Sequence, residues 1–232
     1  MPVNPEYQCV CFRAGFLQMQ PSENMMKALD DAGFLSDSSV SMGMKADDNL
    51  RLLDYSSAYS NFRPWKISNI EICNNDEAGK IFEFPILSYS TGIINKVINK
   101  ITKIAGGINI RDLISYFMAR YGKGMPSDDK ILFSEKLKVI FNQEWGYADF
   151  CLKNPGALIK QIKMVIANCK KNNDYNYVPI VLIGHSKDFF FANNLSLFLK
   201  ACQNIEEVEF TTYFEAVKKT MTETNEKSIK II

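Results

Sequence analysis

The run Val178–Ile183 constrains the fold of this chain more than any other segment. It reads Val-Pro-Ile-Val-Leu-Ile, six apolar residues of which four are β-branched. Such a run predicts a strand that is buried on both faces, as strands are in parallel sheets covered by helices. Strand and helix patterns alternate along most of the chain, so the sequence predicts the α/β class.

Other strands and helices are predicted around this run from periodicity and from the residues that end each element. The predicted strands are Cys9–Phe12, Asp37–Val40, Lys80–Leu87, Tyr147–Leu152 and Val208–Thr212. The predicted helices are Ser22–Ala32, Ala157–Cys169, Leu195–Cys202 and one that begins at Phe214. Between them, Met42–Pro64 is polar and long, which favours a binding loop. The tail from Glu223 onward is polar and predicts a frayed end.

A helical insertion is predicted within a single domain that spans residues 1–232. The helix patterns Ile93–Ala105, Arg111–Tyr121 and Ser134–Phe141 follow one another without a strand pattern between them. The insertion is therefore placed at residues 95–144. Lysines line one face of its first helix, and this face is expected to be solvated.

The charge balance and the absence of targeting signals exclude several classes of function. The net charge is +1, which gives no electrostatic basis for binding nucleic acid or an anionic membrane. No apolar stretch approaches the roughly 20 residues that span a bilayer, and no signal peptide is recognisable. The six cysteines are therefore expected to be reduced thiols in a cytoplasmic protein.

A single histidine, His185, limits the chemistry further. It follows the strongest predicted strand, in Gly184-His185-Ser186-Lys187-Asp188, where parallel α/β proteins place their sites. A serine-hydrolase elbow is excluded, because the triad would need a second histidine and Asp188 replaces the final glycine of the motif. His185 is then either a general acid at the end of the strand or a histidine hydrogen-bonded within a turn.

Four more residues are candidates for the site. Arg13 ends the first strand and needs an anionic partner, for which Asp37, also placed near the start of a strand, is the candidate. Glu83 lies within an apolar strand and points either into the site or outward from an edge. Trp65, in a long loop, either stacks on a substrate or closes the end of a barrel.

Five short motifs, in this order, resemble the later part of the polysaccharide deacetylase family, the NodB-type carbohydrate esterases. They are Phe12–Gly15, Gly33–Val40, Arg63–Trp65, Glu83–Pro85 and Leu182–Lys187. The resemblance implies a partial or distorted (β/α) barrel and the metal-dependent removal of acetyl groups from N- or O-acetylated sugars. It implies that His185 is the general acid and that Arg13 orients the catalytic base. Asp37 and Trp65 match the fourth motif of the family only loosely.

The resemblance also implies what is missing. The family is expected to use a zinc-like divalent metal, and the motifs that supply the base and the metal ligands precede the arginine motif. Only twelve residues precede Arg13, and none is histidine or aspartate. The chain is thus expected to be a C-terminal portion that lacks the metal ligands and is inactive alone. The alternative is a non-catalytic carbohydrate-binding or assembly module, with a partner chain or a second copy covering the exposed sheet edge.

Overall fold

The computed structural model describes residues 8–48, 51–91, 144–151, 154–172, 177–185, 192–222 and 229–232. The chain divides into two compact units, one formed by residues 1–89 with 145–232 and the other by residues 90–144. Apart from Glu144, the predicted insertion 95–144 lies outside the described residues, and so do its three predicted helices.

A four-stranded sheet places the first group of candidate residues side by side. Its strands are Cys11–Phe12 (β1), Ser36–Asp37 (β2), Trp65–Lys66 (β5) and Phe82–Glu83 (β6). Their order is β1-β2-β6-β5, in which β1, β2 and β6 are parallel and β5 is antiparallel. The register aligns Phe12 with Asp37 and Asp37 with Glu83.

A three-stranded parallel sheet contains the strongest predicted strand. Val178–Ile180 (β9), Val208–Phe210 (β10) and Ile229–Ile231 (β11) form it in the order β10-β11-β9. A parallel bridge between Ile86 and Val181 joins the chain beyond β6 to the chain beyond β9. The parallel strands of both sheets therefore have their carboxyl ends at one edge. The described strands do not close into a barrel.

The prediction of a frayed tail is wrong for its last residues. Strand β11 lies between β9 and β10 and pairs with both. Isoleucines alternate with Lys230 in it, a pattern that suits a strand once neighbours exist on both sides. The backbone N–H of Ile232 also donates to the carbonyl of Ile180 over 2.9 Å, which continues the pairing of β11 with β9.

Two other predicted segments differ from the structure. The polar segment Met42–Pro64 contains an antiparallel pair, Lys45–Asp47 (β3) and Leu52–Asp54 (β4). Its Tyr55 is fully buried, so part of this segment belongs to the core. The strand predicted at Tyr147–Leu152 is instead Glu144–Tyr147 (β8), which forms a two-stranded sheet with Ser88–Thr91 (β7).

Four α-helices lie in the described part of the chain, near the predicted positions: Glu23–Asp31 (α1), Pro155–Lys171 (α2), Ala192–Gln203 (α3) and Tyr213–Met221 (α4). Helix α2 begins at a proline, and the side chain of Asn154 caps it by accepting from the N–H of Gly156. Helix α4 begins with a capping box, in which Thr212 and Glu215 satisfy each other's backbone N–H groups.

The apolar faces of the helices form the core with the strands. Helix α2 contributes five buried residues, and helix α3 packs beside it through buried Phe198 and Cys202. Helix α4 packs buried Ala216 and Val217 against Phe84 and Val181, which directly follow β6 and β9. No helix within the described ranges is both long enough and apolar enough to cross a membrane.

Candidate functional site

His185 forms a hydrogen-bonded pair with Asp149 beyond the end of strand β9. The His185 Nδ1 atom lies 3.1 Å from Asp149 Oδ2. The two residues are 36 positions apart, and a parallel bridge between Asp149 and Ile183 brings them together. The imidazole is partly exposed, with 41% of its side chain accessible, whereas the carboxylate side chain is 1% exposed.

The geometry of the pair fixes the role of each imidazole nitrogen. Asp149 Oδ1 accepts from the backbone N–H of Cys151 over 2.8 Å, which holds the carboxylate in place. A carboxylate only accepts hydrogen bonds, so Nδ1 carries the proton and donates a hydrogen bond to Asp149. The other nitrogen, Nε2, is then the one that can exchange a proton with a bound molecule. An acid–base histidine held by a buried carboxylate is a common catalytic arrangement.

Gly184 allows an aromatic ring to lie directly beside the backbone of this pair. A Cβ atom built on Gly184 would lie 2.3 Å from Cε2 and Cζ of Phe150. The backbone N–H of Phe150 donates to the carbonyl of Ile183, and the N–H of Ile183 donates to the carbonyl of Ala148. The turn that carries Asp149 is thereby fastened to the strand that carries His185.

Arg13 is exposed and is held by neutral groups. Its Nε donates to the carbonyl of Ser38 over 2.8 Å, and its Nη2 donates to Ser38 Oγ and to Tyr213 Oη over 2.8 and 2.9 Å. The interpretation of Asp37 as the ionic partner of Arg13 is therefore wrong. Within the described residues, Arg13 has no carboxylate within ion-pair distance.

Asp37 and Glu83 form a separate, fully buried pair of carboxyl groups. They are aligned across β2 and β6, and neither residue is exposed. Asp37 accepts from the backbone N–H and the hydroxyl of Ser39, while Glu83 Oε1 accepts from the N–H of Val40. Burial raises the pKa of both groups, and the neighbouring Asp37 raises the pKa of Glu83 further. The pair therefore retains a proton in the range where isolated carboxyl groups are ionised.

Trp65 lies in the interior. It is 2% exposed, and its Nε1 donates to the carbonyl of Ile72 over 3.0 Å. Tyr59 lies against it with ring centroids 6.0 Å apart. Its ring therefore has no face open to a substrate, and the interpretation that Trp65 closes the end of a barrel stays a prediction.

The thiols show no sign of a reactive or metal-binding site. All six cysteines are thiols and none forms a disulfide. Burial raises the pKa of Cys11, the first residue of β1, to about 12. Among the described residues no three His, Cys, Asp or Glu side chains are grouped as a metal would require. The described residues thus do not fit the metal that the resemblance implies.

Sequence reasoning missed two residues that the structure brings to the predicted ones. Asp149 interrupts an apolar strand pattern at Tyr147-Ala148-Asp149-Phe150, which is a signal of the same kind that identified Glu83. Tyr213 carries no such signal, because it contacts Arg13 across 200 residues of sequence.

Comparisons of this chain with protein-family models, with curated proteins and with solved structures give no match.

Proposed function

We propose that this chain carries the proton-donor and arginine side of a polysaccharide deacetylase-type site, on a partial (β/α) barrel, for acetylated sugars. The observation that supports the proposal best is the His185–Asp149 pair at the carboxyl edge of parallel strands. This is the edge at which α/β proteins carry their ligands. The resemblance of the strand-end motifs adds that the histidine there is a general acid.

In this proposal the imidazole supplies the proton for the leaving group. When the bond between the acetyl carbon and the sugar nitrogen or oxygen breaks, that atom takes the bonding electrons and a proton from Nε2 of His185. The imidazole becomes neutral, and its Nδ1–H keeps its hydrogen bond to Asp149. Asp149 orients the ring for this transfer.

The role proposed for this chain ends with proton donation and anion binding. The implied divalent metal would supply activation of the attacking water, and the described residues do not fit it. We therefore derive no step through it and propose that the remaining groups come from another segment or chain. Strands β1 and β10 each lie at the end of a described sheet, and a partner strand could pair there.

A second candidate function is a non-catalytic carbohydrate-binding or assembly module on the same fold. One observation favours it. Of the five site residues predicted from the sequence, Asp37, Glu83 and Trp65 are buried, and only His185 and Arg13 reach the surface. For either function we propose a cytoplasmic location, in keeping with six cysteines that form no disulfide.

Calorimetric titration with N-acetylglucosamine tetramer and with its deacetylated form tests the proposal. We expect the acetylated tetramer to bind more tightly, and His185→Gln to weaken it about tenfold, as one lost hydrogen bond in a polar site would. Lys27→Gln, on the exposed face of α1, is the control. Equal binding of both sugars would refute the deacetylase-type proposal. A preference unchanged by His185→Gln would instead favour the module.

An acetate-release assay with added Zn²⁺ tests the missing part of the site. We expect no acetate from the isolated chain, because the groups that activate water are absent from the described residues. Sustained release would show that the chain carries a complete site.

A further inference from the structure

Three hydrogen bonds hold the guanidinium of Arg13 in one orientation. Nε and Nη2 together have three N–H groups, and these donate to the carbonyl of Ser38, to Ser38 Oγ and to Tyr213 Oη. A guanidinium has five N–H groups, so the two on Nη1 remain. Within the described part of the chain, Nη1 has no hydrogen-bond partner.

The direction of every hydrogen bond in this cluster is determined. Arg13 can only donate, so Tyr213 Oη and Ser38 Oγ accept from it. Tyr213 then donates its proton to Ser38 Oγ over 2.6 Å, and Ser38 donates to the carbonyl of Phe84 over 2.8 Å. Ordered chains of this kind strengthen each bond within them.

The cluster rests on buried groups, although Arg13 itself is exposed. Ser38 and Phe84 are completely buried, and the Tyr213 ring packs edge-on against Phe84 with centroids 6.1 Å apart. Tyr213 is the first residue of helix α4, whose capping box fixes its start. Helix α4 thus reaches the end of β1 and sets the position of Arg13.

We propose that Tyr213 is a positioning residue, which holds Arg13 so that the two N–H groups of Nη1 receive a carboxylate. This rests on the proposed function only for the identity of that carboxylate, a catalytic base supplied from elsewhere. The receptor itself follows from the cluster: a cation whose described partners are all neutral retains its full charge for an anion. Because Tyr213 does not touch the carboxylate, it acts through the orientation of Arg13.

Titration of ¹⁵N-labelled protein with sodium acetate, followed by the Nε–H signal of Arg13, tests this proposal. We expect the Arg13 signal to shift with acetate, and Tyr213→Phe to weaken acetate binding about fivefold by removing preorganisation. Tyr177→Phe is the matched control, since it removes a phenol from the same apolar cluster without touching Arg13. The signal of Arg51, already paired with Asp48, should not move in any variant.

Further variants keep the test decisive. If Tyr213→Phe unfolds the chain, Ser38→Ala provides a second comparison, because it removes the hydroxyl that accepts from both Arg13 and Tyr213 and keeps the Arg13 Nε–H signal. An affinity unchanged in the folded Tyr213→Phe or Ser38→Ala protein would overturn the positioning role. No acetate shift in the unaltered protein would overturn the carboxylate receptor. Neither result involves the sugar titration, so failure here is distinct from failure of the proposed function.

Discussion

Replacing Glu83 by glutamine should remove a pH dependence from the stability of the fold. Glu83 and Asp37 are both fully buried and lie opposite each other on neighbouring strands. A glutamine keeps the oxygen that accepts from the N–H of Val40 and replaces the other oxygen, Oε2, which has no hydrogen-bond partner among the described residues, by a neutral amide nitrogen. It therefore imitates the protonated form of Glu83 at every pH.

The magnitude follows from proton linkage. The pKa of Glu83 is raised well above its ordinary value of 4.5 by burial and by Asp37. Between these two pKa values the folded chain holds one proton that the unfolded chain has released. The contribution of Glu83 to stability is thus complete below the ordinary pKa and declines as pH rises toward the raised one. The slope is about 1.4 kcal/mol per pH unit.

Urea unfolding at about pH 5, 6, 7 and 8 measures this difference, with the linear extrapolation that small domains permit. Between the ordinary and the raised pKa of Glu83, we expect Glu83→Gln to become more stable relative to the unaltered chain by about 1.4 kcal/mol for each unit of pH. Glu77→Gln, which replaces an exposed carboxylate, should keep the original pH dependence. Parallel pH profiles for Glu83→Gln and the unaltered chain would refute the shared-proton argument.

Two further predictions concern packing. Gly184→Ala should lower the free energy of unfolding by about 1–3 kcal/mol, because the new Cβ meets the Phe150 ring. Gly15→Ala, whose new Cβ has nothing within 4 Å, should change it by less than about 0.5 kcal/mol. Equal effects of the two substitutions would contradict the close approach of Phe150 to Gly184. Ile162→Ala, at a fully buried position on α2, should cost about 2–5 kcal/mol, and Met164→Ala, 56% exposed on the same helix, far less. Chemical denaturation measures all four variants, and a small loss for Ile162→Ala would contradict the assigned core face.

Local periodicity was enough to predict the elements whose own sequence specifies them. The apolar run that begins at Val178 does form a buried parallel strand, and α2 includes all of the helix predicted at Ala157–Cys169. Each pattern contains enough apolar residues to indicate its period without reference to the rest of the chain.

Contacts between distant residues could not be predicted in this way. Ile229–Ile231 is only three residues long and becomes a strand because β9 and β10 flank it. The partners of His185 and Arg13, Asp149 and Tyr213, are 36 and 200 residues away from them. The order of the strands in the sheets determines which distant residues contact each other, and the periodicity of the sequence carries no information about that order. Asp37, predicted as the partner of Arg13 from its place near the start of a strand, was consequently the wrong one.

The long-range ¹⁵N spectrum of the single imidazole tests the central claim most directly, because every histidine signal belongs to His185. Recorded at about pH 9, where an ordinary imidazole is neutral, it distinguishes which ring nitrogen carries the proton. We expect the proton on Nδ1, its transfer to Nε2 in Asp149→Asn, and a shift of the Nε2 signal with the acetylated tetramer but not with the deacetylated one. A proton on Nε2 in the unaltered chain, or an Nε2 signal indifferent to the acetylated sugar, would contradict the assignment of His185 as the proton donor.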